Sequence, residues 1–161
     1  MVMVSATFTE RIISSAEEAL SACVILTAYI PMLMGTGGNA GGQSSGTIIR
    51  GLSLEEIEFD DMGKVLWKEL RVALLCGLTL FVVCYAKLIF FDHVGGTVAL
   101  AICLTLLCTL LIAKVVGSTL PMMAQKIGLD PAVMASPFIT TIVDALSLII
   151  YFSIATKLLN L

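Results

Sequence analysis

Asp144 is the residue best placed to do chemistry. It lies near the middle of the run from Pro131 to Thr156, PAVMASPFITTIVDALSLIIYFSIAT, in which no other residue is charged. Read as a helix at ~1.5 Å per residue, that run is long enough to cross a bilayer. A carboxylate at the centre of such a helix costs about 2.5–3.5 kcal/mol, so it is expected to face a partner, a water-filled cavity or a cation. Asp130 lies close to four turns earlier, which puts the two acids on nearly the same face ~21 Å apart. Ser136, Thr140 and Thr141 add small polar groups near that face. An acid at the midplane and another at the end read as a cation path. The competing reading is a protonated Asp144 hydrogen-bonded to another helix, with no Lys or Arg expected deep enough in another span to pair with it. Asp130-Pro131 alone is an ordinary helix start, with the acid at the N-cap and the proline in the first turn.

A second stretch, Pro31 to Ser45, reads PMLMGTGGNAGGQSS. Each glycine costs a helix about 1 kcal/mol relative to Ala, so the run is expected either to complete a span irregularly or to lie at its mouth. Irregular backbone is tolerated at membrane depth only where protein buries it or water lines it. Glycine offers close backbone approach and freed carbonyls, and Asn39 and Gln43 are the amide side chains of the run. The alternative is tight helix–helix packing by small residues. It is not a nucleotide-binding loop, because no GK[ST] follows and no strand precedes it.

The elements that must position these residues are membrane helices. Of 161 residues, 58% are hydrophobic and 13% charged, with mean hydropathy +1.04; soluble domains carry roughly 25% charged residues. The reading is an all-α integral membrane protein of about four transmembrane helices, over about 19–42, 72–91, 97–116 and 131–156. A short interfacial helix is expected over roughly Glu10 to Ala19. A polar loop with an amphipathic helix is expected over Ile49–Arg71, and a loop over roughly Gly117–Asp130. Lys87 is expected to snorkel to the interface. A net charge of -3 argues against nucleic acid as a partner. Cys23, Cys76, Cys84, Cys103 and Cys108 all lie in apolar runs without paired spacing and read as packing residues.

The charges also set an orientation. The loops after the first and third spans hold Arg50, Lys64, Lys68, Arg71, Lys114 and Lys126, against Arg11, Lys87 and Lys157 on the other side. Six against three puts those loops in the cytoplasm and, with four spans, both termini outside. Glu10, Arg11, Glu17 and Glu18 exclude a signal peptide. An outside N-terminus without a leader leads to the expectation that a further transmembrane helix precedes residue 1.

Taken together, these residues resemble the transmembrane domain of the MgtE family of magnesium channels and transporters. The resemblance rests on Pro31 with GTGGNAGGQSS, Arg50-Gly51-Leu52 with Glu56-Ile57, and Lys68-Glu69-Leu70-Arg71. It continues through Leu120-Pro121, Gly128-Leu129-Asp130-Pro131-Ala132 and Pro137-Phe138-Ile139-Thr140-Thr141 before Asp144. Order and spacing agree over nearly the whole chain, so 1–161 reads as one MgtE-like pore domain. By the resemblance, the family's acidic N-terminal domain, its paired CBS domain and most of its first helix are expected to have no counterpart among these 161 residues. The resemblance implies a multi-pass protein of the cell membrane, a homodimer in the lipid bilayer with a central pore lined by the glycine-motif helix and the last helix. It implies Mg²⁺ as the transported ion, facing Asp144 of both protomers at mid-membrane, with Asp130 at the cytoplasmic mouth and Asn39 near the narrow part. By spacing, carbonyls at Ser136 and Thr140 supply an outer shell. Mg²⁺ dehydrates reluctantly, so a pore can pass the hydrated ion with few direct ligands.

Two other readings stay open. One is an ion-coupled Mg²⁺ exchanger using H⁺ or Na⁺, since a midplane acid serves either mechanism. The other is a non-conducting structural subunit in which Asp144 only joins helices. An enzyme is not expected: the spans carry no His and no serine–base pairing, and His93 falls in a turn.

Overall fold

The computed structural model describes residues 2–15, 24–134 and 136–159. Among the described residues five α-helices carry the fold: α1 (Val2–Ser15), α2 (Ile25–Ser53), α3 (Met62–Phe90), α4 (Gly96–Lys126) and α5 (Ser136–Leu159). Short 3-10 turns at Phe59–Asp61 and Pro131–Met134 lead into α3 and α5. Among the described residues three helical stretches are long and apolar enough to cross a membrane: Phe59–Phe90, Gly96–Lys126 and Pro137–Leu159. The glycines and hydroxyls of α2 lower its hydropathy, although its 29 residues extend ~43 Å. α4 is the central element and packs against α2, α3 and α5; α2 also packs against α5, and α1 rests on α5. The apolar window of α3 is only 17% buried against 50% for α4. α3 therefore forms the outer wall, with Leu74, Leu75, Leu78, Val82 and Val83 exposed.

The glycine run is helical throughout, contrary to the irregular span expected for it. The reason is tertiary. A Cβ added at Gly37 would come within 2.7 Å of the Thr109 methyl and 2.8 Å of Val143; one at Gly41 would meet Ile139 at 2.9 Å and the Ala113 carbonyl at 3.2 Å. A Cβ at Gly117 of α4 would strike the Gly41 carbonyl oxygen itself. Close backbone approach gains the packing that offsets the poor helix propensity of glycine. The small-residue packing alternative is thus the one realised at Gly37, Gly41 and Gly117.

The expected loop from Gly117 to Asp130 is also mostly helix, since α4 runs on to Lys126. Pro121 lacks the N–H that would bond the Gly117 carbonyl. One turn earlier, the Ser118 hydroxyl donates to the Lys114 carbonyl at 2.7 Å and that of Thr119 to the Val115 carbonyl at 2.7 Å. Such hydroxyls and tight neighbours let a membrane helix accommodate glycine and proline. α4 ends in a Schellman motif: Gly128 has φ +78, its N–H bonds the Gln125 carbonyl, and the Leu129 N–H bonds Ala124.

At the other ends, α2 continues to Ser53 and α3 begins at Met62, which shortens the expected polar loop. Of the helix expected over Glu10–Ala19, residues 10–15 belong to α1, which begins earlier, at Val2, and residues 16–19 lie outside the described ones. Lys87 is exposed at the end of α3, as snorkelling requires, and pairs with Asp92. The Tyr29 hydroxyl also donates to Asp92 at 2.7 Å. The Lys87 ammonium, followed by this phenol, holds the Asp92 carboxyl below the usual carboxylate range.

Glycine packing gives a paired prediction. Gly117→Ala is expected to destabilise by about 1–3 kcal/mol through overpacking against the α2 backbone. Gly46→Ala, where a Cβ meets nothing within 4 Å, should stabilise by about 1 kcal/mol. Melting temperatures in detergent check both, with opposite signs expected.

Candidate functional site

Asp144 occupies the middle of α5 and is half-buried. Its Oδ1 is buried and, among the described residues, has no hydrogen-bond partner, an expensive state for a carboxylate in an apolar bundle. Gly38 of α2 faces it: a Cβ there would lie 3.1 Å from the Thr140 methyl and 4.0 Å from Asp144 Oδ1. Adjacent Gly37 seats Val143 and Ser147, and Gly41, one turn along, seats Ile139. The α2 glycines thus form a bed for the face of α5 that runs from Ile139 to Ser147, and the acid stands at its edge beside Gly38.

The other candidates distribute differently. Thr140 is brought to Gly38, but its hydroxyl donates back to the Pro137 carbonyl at 3.1 Å, so its side chain packs. Asn39 follows Gly38 in α2 and is exposed. Ser136 opens α5, and its side chain lies outside the described residues. Asp130 is not on the same helix as Asp144. It precedes the 3-10 turn Pro131–Met134, and its Oδ1 accepts the Ala132 N–H at 2.9 Å. The cap expected of Asp-Pro is present, whereas the single continuous helix carrying both acids is not; Pro131 and Pro137 divide it into a turn and α5. Among the described residues no three His, Cys, Asp or Glu side chains cluster as a metal site. Asp144 therefore offers one carboxylate, suited to an ion that retains most of its water.

Residues 30–154 match the sequence model of MgtE, described as a divalent cation transporter. The chain belongs to the MgtE family. It is 36% identical over 152 residues to the magnesium transporter MgtE of Thermus thermophilus, 32% over 152 to that of Enterococcus faecalis and 35% over 149 to that of Bacillus subtilis. These alignments cover 92–94% of this chain and 33% of each relative, so the chain spans about a third of the length of the curated relatives it matches. Family and helices together make it a multi-pass protein of the cell membrane.

This MgtE domain holds one feature that sequence reasoning missed. Lys114, counted above with the loop after the third span, lies inside α4 and pairs with Glu69 of α3 at 3.2 Å; the two side chains are only 13% and 10% exposed. The Ser44 hydroxyl of α2 donates to the same carboxylate oxygen of Glu69. This basic residue is buried between helices and engaged with Glu69. The readable signal was the row Val65, Glu69, Ala73, Gly77, spaced by four and buried throughout, which turns Glu69 inward.

Removing one partner of a buried pair strands the other charge and costs about 3–5 kcal/mol. Lys114→Met is expected to lose that much stability in a detergent unfolding titration. Glu69→Leu/Lys114→Met should regain most of it, and failure of the double variant to recover would show that the charges do more than balance each other.

Proposed function

We propose that this chain is the ion-translocating membrane domain of a magnesium transporter, passing hydrated Mg²⁺ past Asp144. The observation that carries the reading is the buried, unpartnered Asp144 Oδ1 beside Gly38. Three relatives named magnesium transporters align over 92–94% of the chain and support Mg²⁺ as the cargo. The function is transport and not catalysis.

In this reading α2 is the fourth span, long enough at ~43 Å and shielded by its neighbours where glycine lowers its hydropathy. Two chains associate as a homodimer, and α2 and α5 of each line a central pore. Two facing carboxylates repel and take up protons unless a cation lies between them. Asp144 of both protomers therefore favours a doubly charged ion. Mg²⁺ keeps several waters, which suits a site with one carboxylate per chain and with carbonyls of the first α5 turns, at Ser136 and Thr140, in the outer shell. Exposed Asp130 draws cations to the mouth, and exposed Asn39 offers an amide beside the acid. With Lys114 moved into the bundle, the orientation count becomes five against three and keeps the α2–α3 connection in the cytoplasm.

Proteoliposome flux tests the proposal. Asp144→Ala and Asp144→Asn are each expected to lose selective Mg²⁺ uptake, while the Asn variant keeps its fold and oligomeric state by size-exclusion chromatography with light scattering. Undiminished Mg²⁺ flux in a folded Asp144→Asn variant would refute it.

A further inference from the structure

A groove on the outer face of α3 differs from the apolar surface around it. Lys64, Trp67, Lys68, Arg71, Val72 and Leu75 line it around a volume of about 570 Å³. Their spacings of three and four place them in one stripe along the helix, ~16 Å from end to end. The stripe is graded: three cations and an indole at one end give way to aliphatic side chains, beyond which Leu78, Val82 and Val83 are exposed on the lipid-facing wall. It therefore straddles the level at which headgroups meet acyl chains. Lys64 is held by Asp61 at 2.7 Å, whereas Lys68 and Arg71 make no ion pair among the described residues. Glu69 turns inward to Lys114, and Glu56 lies in the adjacent groove, where Arg50 stands with it beside Lys68.

We propose that this groove binds the headgroup of an anionic phospholipid of the cytoplasmic leaflet. Arg71 and Lys68 hold the phosphate, the guanidinium with its planar fork and the ammonium as a point charge. Trp67, 64% exposed, covers the glycerol level, where an amphipathic ring is most stable. Val72 and Leu75 receive the start of an acyl chain. A soluble anion would use only the basic end; the apolar end is what selects a lipid. Basic side chains at a membrane surface draw anionic lipids, and the orientation places these on the leaflet that carries them.

Trp67 is the sole tryptophan of the chain, so its fluorescence reports this groove alone. The full chain is reconstituted in phosphatidylcholine vesicles carrying equal mole fractions of either dibrominated phosphatidylglycerol or dibrominated phosphatidylcholine, since bromine quenches an indole it touches. Brominated phosphatidylglycerol is expected to occupy the groove about fivefold more strongly or better, the factor that one basic side chain near the surface supplies. Lys68→Gln/Arg71→Gln, at two exposed positions, should bring the ratio to one. Three results would overturn the proposal: equal quenching by both lipids in the parent, which marks general bilayer contact; no quenching by either, which marks a groove covered by another chain; or a preference that survives the double substitution.

Discussion

The separation between α2 and its neighbours is set where side chains are missing. At Gly117 a single methyl group would strike the carbonyl oxygen of Gly41, and at Gly37 it would strike both Thr109 and Val143. With any other residue at these positions α2 would stand further off, and the bed that receives Ile139, Val143 and Ser147 would not exist. Helix propensity is sacrificed along this run, and tertiary contact restores what is lost. The same contacts bring the backbone of α2 up to Asp144, so the packing constraint and the candidate site are one arrangement.

Two carboxylates in this bundle have opposite fates, and the contrast identifies which is available for an ion. Glu69 receives the Lys114 ammonium and the Ser44 hydroxyl, and it ties α2, α3 and α4 together at one level. Asp144 has neither cation nor donor on its buried oxygen among the described residues. Desolvation without compensation is unstable for an ionised acid. In the proposed function a hydrated divalent ion supplies that compensation, together with a second carboxylate from a partner chain. Lys114 is the cation of the Glu69 site.

Much of this was readable from residues alone. The uncharged run around Asp144 gave both a membrane helix and its outlying acid, and the glycine motif with the Asp-Pro-Ala and Pro-Phe-Ile-Thr-Thr segments gave the family. The positions that misled were those where local preference and tertiary packing disagree. Glycine and proline argued for irregular backbone at 35–46 and for a loop after Gly117, yet close helix contact and back-bonding hydroxyls kept both stretches helical. Lys114 was counted with a loop because position along a run carries no information about which face a side chain occupies. The two prolines at 131 and 137 placed Asp130 on a separate turn, which even spacing along one imagined helix could not reveal.

The most direct test of the central claim is the melting temperature of the purified protein as a function of MgCl₂ at constant ionic strength, for the parent and Asp144→Asn side by side. An ion held at Asp144 stabilises the fold as RT ln(1 + [L]/Kd), about 2.7 kcal/mol at a hundredfold excess over Kd. The account predicts a saturable rise in the parent and none in the variant. No rise in the parent, or the same rise in both proteins, would contradict it.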